Sequence, residues 1–164
     1  FCYTGSATVH AAVGGARSTT SVDMSATYLR WAEKNLALNG FTGPDHRLIR
    51  ADCVSWLKEQ VMKGAGRPRY GLIFLDPPTF SSSKRMEGVF DVQREHVELI
   101  FKAAKLLEED GMLLFSTNFR RFRMDHEALS PLQVEEISRA TIPEDFKRNP
   151  RIHRSWLINW KPRT

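Results

Sequence analysis

An apolar run that ends in a carboxylate and two prolines constrains this chain more than any other stretch. Tyr70-Gly71-Leu72-Ile73-Phe74-Leu75 has the length and apolar content of a strand buried on both faces, and Asp76-Pro77-Pro78-Thr79-Phe80 follows it directly. Proline cannot donate to a ladder and biases the preceding residue toward extended backbone, so the chain must leave the sheet at Asp76. The acid is thereby expected at the carboxyl end of a central strand, where open α/β sheets bind their ligands. A strand that merely stops at a stiff turn has the same local sequence, so other residues must decide.

The rest of the chain alternates strand and helix patterns. Phe1-Cys2-Tyr3-Thr4-Gly5 reads as a strand end entering a turn, and residues 6–13 as a helix of small residues stopped by Gly14-Gly15. Because the chain opens inside a turn, its first strand is expected to be missing and the chain to be a fragment of a longer one. Residues 18–22 read as a strand ending at Asp23, and 24–39 as an amphipathic helix with Ser25 as cap and Leu29, Ala32 and Leu36 on one face. A strand at 47–51 ends at Asp52, a helix spans 54–62, and 63–69 is a surface loop. After Asp76, residues 81–88 are too polar to pack and read as a loop. A long helix at 92–107 turns Val97, Ile100, Phe101, Ala104 and Leu107 inward, and Asp110-Gly111 turns into a strand at 112–116. At most a short helix is expected at 125–132, a strand at 134–141, and an antiparallel edge strand at 155–160.

This order predicts an α/β, Rossmann-like fold: a mostly parallel, doubly wound sheet with an antiparallel terminal strand, closed by a hairpin. A length of 164 residues fits a single domain, 1–164, with a proper core. No apolar run approaches a membrane span, and Cys2 and Cys53 form neither a metal spacing nor a disulfide framework, so a cytoplasmic setting without membrane or metal is expected. The net charge of +5 suits a polyanionic partner.

Asp23, Asp52 and Asp76 each follow a predicted strand, and in a parallel sheet such ends share one rim. An acid about 20 residues past the first turn is placed to accept from ribose hydroxyls, and Asp52 from an adenine amine. A dinucleotide loop wants Gly-x-Gly-x-x-Gly to approach a pyrophosphate, whereas Tyr3-Thr4-Gly5-Ser6-Ala7 holds one glycine. A cofactor with ribose and adenine but no phosphate tolerates that loop, and S-adenosylmethionine is one. A lone aspartate after a strand is more often a turn former; three in series with Asp-Pro-Pro favour the functional reading.

These segments resemble successive motifs of the class I S-adenosylmethionine-dependent RNA methyltransferases. The most specific are Asp76 to Lys84 and Asn149-Pro150-Arg151-Ile152-His153. Within that family the resemblance is to the C-terminal half of bifunctional bacterial enzymes of large-subunit ribosomal RNA, a half that methylates guanine N7 in 23S ribosomal RNA. The resemblance implies that Tyr3, Thr4, Gly5, Asp23, Met24, Asp52 with its neighbour Cys53, and Asp76 form the cofactor pocket. It puts Asp76, Pro77, Pro78 and Phe80 at the target base. It also implies rRNA processing beside N-terminal methyltransferase and RNA-binding domains of the same parent chain.

The atom methylated can be argued from chemistry. Carbon-5 of a pyrimidine needs a cysteine thiolate added to the ring, and related cytosine enzymes carry it after the fifth strand. Here that position reads Phe115-Ser116-Thr117-Asn118-Phe119, without a thiol; Cys2 and Cys53 read as buried packing residues. Guanine N7 has an in-plane lone pair and no proton, so alignment suffices, with Phe80 stacking on the extruded base. Basic residues follow the strand ends: Lys84 and Arg85; Arg120, Arg121 and Arg123 with Phe119 and Phe122 between them; and Lys147, Arg148, Arg151 and Arg154. They suit phosphate contacts, or equally a solvated charged face. His153 reads as structural. Guanine-N2 or cytosine-C5 transfer, a nicotinamide-dependent oxidoreductase, and an inactive RNA-binding fragment stay open as alternatives.

Overall fold

The computed structural model describes residues 1–82, 89–149 and 152–162. The chain divides into two compact units, Phe1–Trp56 and Leu57–Thr164, and each is considered by itself. The first unit runs in the order α1 (Ser6–Val13), β1 (Thr19–Asp23), α2 (Ala26–Leu38), β2 (His46–Arg50) and the start of α3 (Cys53–Met62).

In the first unit β1 and β2 pair in parallel, from Thr19 opposite His46 to Asp23 opposite Arg50. Ser25 caps α2 by accepting from the Tyr28 N–H at 3.3 Å, which satisfies a donor the helix start would otherwise leave unpaired. Leu29, Ala32 and Leu36 are buried as the 3.6-residue period requires. Both elements follow the expected boundaries to within two residues.

The second unit is built on a mixed sheet ordered β3 (Tyr70–Leu75), β6 (Leu107–Thr117), β8 (Arg154–Trp160), β7 (Leu132–Glu136). β3 and β6 are parallel, while β8 runs antiparallel to both β6 and β7. Helix α4 (Val92–Ala104) is capped by Asp91, which accepts from the Gln93 N–H at 2.9 Å, and Glu95 reaches back to the Asp91 N–H at 2.9 Å. The core gathers Ile100, Leu113, Phe115, Phe122, Trp156 and Ile158. Phe122 stands 4.8 Å from the His96 ring and 5.3 Å from the Trp156 ring, centroid to centroid.

Several expectations are corrected here. β3 is not a central strand buried on both faces: it lies at the edge of its sheet, with Leu72 57% and Phe74 46% exposed. An apolar run carries no information about which strand lies beside it. The terminal strand β8 is flanked by β6 and β7, so the edge belongs to β7. The closing antiparallel pair itself is as expected. Asp110-Gly111 lies inside β6, where the register with β3 jumps between Tyr70–Leu107 and Leu72–Met112, a bulge and not a turn.

Phe80–Ser82 forms β4, paired antiparallel with β5 (Val89–Asp91), where a loop was expected from Ser81 onward. Residues 83–88 lie outside the described residues. On α4 the buried stripe is Val92, His96, Leu99, Ile100, Ala103 and Ala104; Val97 and Phe101 are half-buried, and Leu107 already belongs to β6. Residues 125–131 form turns without a helix, β7 ends at Glu136, and a short α5 (Ser138–Thr141) replaces the rest of the strand expected at 134–141. No helix among the described residues is long and apolar enough to cross a membrane.

Candidate active site

In the first unit, two acids stand at the same end of adjacent parallel strands. Asp23 closes β1, and Asp52 follows β2 and opens α3; the Ala51 N–H donates to the Asp23 carbonyl at 3.1 Å. Asp23 is buried, and both of its oxygens are engaged. The Tyr3 N–H donates to Oδ2 at 3.0 Å and the Ser25 N–H to Oδ1 at 2.9 Å. One side chain thus ties the opening turn to the start of α2. Asp52 accepts from the Ser55 N–H through Oδ1 at 2.8 Å, capping α3, while its Oδ2 is buried without a partner among the described residues. A buried carboxylate oxygen with nothing to accept is costly.

The turn beside Asp23 holds two residues at positive φ. Tyr3 has φ 51° and Gly5 φ 76°, and a non-glycine residue at positive φ is uncommon. The Asn35 amide donates to the Thr4 carbonyl at 2.9 Å, and the Tyr3 ring meets Tyr28 edge-on at 4.6 Å. A Cβ on Gly5 would lie 2.7 Å from the Ala32 Cβ, so only glycine lets α2 approach. Met24 is half-buried, and its carbonyl accepts from the Arg50 Nε–H at 3.4 Å. Cys53 is buried, with its thiol donating to the Val22 carbonyl at 3.3 Å. Burial pushes its thiol up, and burial with Asp23 nearby pushes that of Cys2 up to about 11. Neither is a ready thiolate.

In the second unit the register of β3 against β6 pairs Leu75 with Phe115, which brings the next residues, Asp76 and Ser116, together. The Ser116 hydroxyl donates to Asp76 Oδ1 at 2.8 Å. Desolvation raises the Asp76 pKa above its ordinary 3.8, opposed by the Ser116 hydrogen bond and by His153. The residue is exposed overall, and solvent screening tempers that effect.

Asp76 lines a cleft of about 290 Å³ with Phe74, Leu114, Ser116, Asn118 and His153 among its walls, slightly below the roughly 300–1,000 Å³ usual for ligand clefts. Pro77 is buried and Pro78 exposed. Phe80 is 60% exposed, with its ring centroid 6.2 Å from that of Phe119.

The basic residues divide. Arg120, Arg121 and Arg123 are exposed, but Phe122 between them is a core residue and not part of the surface. Arg154 is held by Glu136 at 2.8 Å and by the Phe122 carbonyl at 2.7 Å, with its guanidinium over the Trp156 ring; it is structural. Lys147 pairs with Glu144, and Arg148 is exposed. Lys84, Arg85 and Arg151 lie outside the described residues. Sequence reasoning missed Ser116, Asn118 and Thr141 as cleft residues. The Thr141 hydroxyl meets His153 Nε2 at 3.0 Å and Ser155 Oγ at 2.6 Å, contacts that only the sheet register creates.

No family model matches the chain. Among solved structures it is similar to a methyltransferase complexed with S-adenosylhomocysteine, with a TM-score of 0.77 and 23% identity over 96% of this chain and 43% of that one. It is also similar to an S-adenosylmethionine-dependent methyltransferase from Agrobacterium tumefaciens, with a TM-score of 0.74 and 22% identity over 99% of this chain and 54% of that one. The fold is therefore that of the S-adenosylmethionine-dependent methyltransferases.

Among curated proteins, the ribosomal RNA large subunit methyltransferase K/L of Methylococcus capsulatus is 62% identical over 158 residues, 96% of this chain and 21% of that protein. The protein of the same name from Allochromatium vinosum is 58% identical over the same shares. The chain is a homologue of one segment of methyltransferase K/L and spans about a fifth of the length of these relatives.

Two predictions follow from this geometry. Gly5→Ala should lose about 1–2 kcal/mol to left-handed backbone and about 1–3 kcal/mol to overpacking against Ala32, read by urea unfolding; a variant as stable as the parent would contradict the described turn. For Asp76, a folded pKa raised above the ordinary value means the native state holds the proton more tightly. Its stabilisation is complete below the unfolded value and is lost as pH rises through the folded one. Asp76→Asn should therefore gain in thermal midpoint relative to the parent between about pH 3 and neutrality, and an unchanged difference across that range would contradict the shift.

Proposed function

We propose that the chain is the catalytic part of an S-adenosylmethionine-dependent methyltransferase that acts on guanine N7 of 23S ribosomal RNA. The coarser half of this reading, methyl transfer to large-subunit ribosomal RNA, is supported by the K/L relatives, whose names state that activity. The finer half rests on one observation: neither cysteine among the described residues offers a thiolate, while an acid-lined cleft stands beside Asp-Pro-Pro. Carbon methylation needs a nucleophile that this arrangement withholds; N7 needs only alignment.

The first unit's residues suit the cofactor. Asp52 Oδ2 lacks a donor that an adenine amine would supply. Asp23 can take ribose hydroxyls on the second lone pairs of its two oxygens, each of which already accepts one backbone N–H. Tyr3, Thr4, Gly5, Met24 and the Cys53 backbone complete this proposed pocket. When bound, S-adenosylmethionine supplies an electrophilic methyl group on a sulfonium.

The chain's own residues then position and desolvate the base. Pro77 and Pro78 stiffen the exit from β3, Phe80 with Phe119 offers an aromatic face, and Asp76 offsets the positive charge that N7 acquires. Arg120, Arg121, Arg123 and, in the same proposal, Lys84, Arg85 and Arg151 supply phosphate contacts that weaken with salt. The setting proposed is the cytoplasm, with further methyltransferase and RNA-binding domains supplied by a longer parent chain. The test is a Cys2→Ser, Cys53→Ser double variant with labelled cofactor and ribosomal RNA. It should keep the parent's methyl transfer, with all label in N7-methylguanine; label on cytosine carbon, or transfer abolished in a folded variant, would refute the reading.

A further inference from the structure

The cleft beside Asp76 contains a side chain whose hydrogen-bonding sense is fixed before any base arrives. Asn118 lies just past the end of β6 and lines the cleft together with Asp76 and Ser116. A free carboxamide is ambidextrous: its oxygen accepts and its nitrogen donates. Used whole, it suits adenine, whose N6 amine donates while N7 accepts. Here the Thr79 hydroxyl donates to Asn118 Oδ1 at 3.0 Å, across the exit of the neighbouring strand β3. The carbonyl is spoken for. What remains is the amide NH₂, with no partner among the described residues, so Asn118 faces the cleft as a donor.

Guanine presents two acceptors side by side, N7 and O6; adenine presents N7 next to a donor amine. We propose that Asn118, oriented by Thr79, hydrogen-bonds O6 of the target base and selects guanine over adenine. This rests on the N7 reading above and deepens it, because N7 itself must be left free for the methyl group and cannot be the atom that is read. An adenine in the same place sets amine against amine, leaving two donors facing each other unpaired once the base covers the cleft, which is how a site built to pair rejects an analogue. Thr79 is thus a positioning residue. It takes the place one position before the exposed ring of Phe80, where its hydroxyl, unlike an aromatic side chain, can hold the amide.

The test begins by mapping the methylated nucleotide in ribosomal RNA treated with the chain, alone and in place of the matching segment of the full-length Methylococcus capsulatus protein. If no N7-methylguanine forms in either setting, the N7 reading fails and this inference with it. If it forms, that single nucleotide is replaced in an RNA fragment by inosine, 2-aminopurine or adenosine. Inosine keeps O6 and N7 and should be methylated within about threefold of guanosine; 2-aminopurine keeps N7 but lacks O6 and should be slower by about tenfold or more, with adenosine slower still. Equal rates on guanosine and 2-aminopurine overturn the O6 contact while leaving N7 transfer standing.

Thr79→Val releases the amide, and the guanosine-to-adenosine ratio should fall by about tenfold, a readout that loss of fold alone does not move. Asn118→Asp, which sets a carboxylate against O6, should slow guanosine more than adenosine. A ratio unchanged in both variants overturns the assignment.

Discussion

The lone pairs of three aspartates organise the ends of β1, β2 and β3, where the binding proposed above would take place. A carboxylate taken out of water must have its oxygens satisfied, and each of these acids meets that demand differently. Asp23 gives one oxygen to the Tyr3 N–H and the other to the Ser25 N–H, so it builds the turn and the helix start. Asp52 spends Oδ1 on capping α3 and keeps Oδ2 buried and unpaired. Asp76 accepts from Ser116 at Oδ1 and lines a cleft. Of these oxygens Asp52 Oδ2 is the one left without a partner among the described residues, which is why the proposal gives it the cofactor's donor.

The same logic reconciles two readings that look opposed. An aspartate at a strand end is commonly a turn former or a helix cap, and Asp23 and Asp52 are both. Those duties also orient their carboxylates, since each is anchored by a backbone donor of fixed position. The structural role of each side chain and its proposed binding role are then compatible, because the first orients the oxygens that the second would use. Thr79 repeats the pattern, holding one end of the Asn118 amide and so defining the other.

Much of this was legible in the residues. Asp23, Asp52 and Asp76 could be placed at strand ends because each follows an apolar or β-branched run and precedes a cap, a turn or a proline. The buried face of α2 followed from the spacing of Leu29, Ala32 and Leu36. What could not be read was lateral. β3 looked buried because it is apolar, yet its place in the sheet order leaves Leu72 and Phe74 exposed. The stripe on α4 was misaligned because a polar residue, His96, occupies a core position, accepting from the Asp125 N–H at 3.1 Å while its other ring nitrogen meets the Gln93 carbonyl at 2.9 Å. Ser116 and Asn118 lie far in sequence from Thr141 and His153, and the two groups line one cleft because β6 pairs with β8, which no local pattern encodes.

In the proposed site the unpaired Asp52 Oδ2 holds the cofactor's adenine. A crystal structure of the chain with S-adenosylhomocysteine tests it most directly. The predicted result is an adenine amine within about 2.7–3.2 Å of Asp52 Oδ2, with Asp23 still gripping the Tyr3 turn. A bound cofactor that leaves Asp52 Oδ2 without a partner would contradict it.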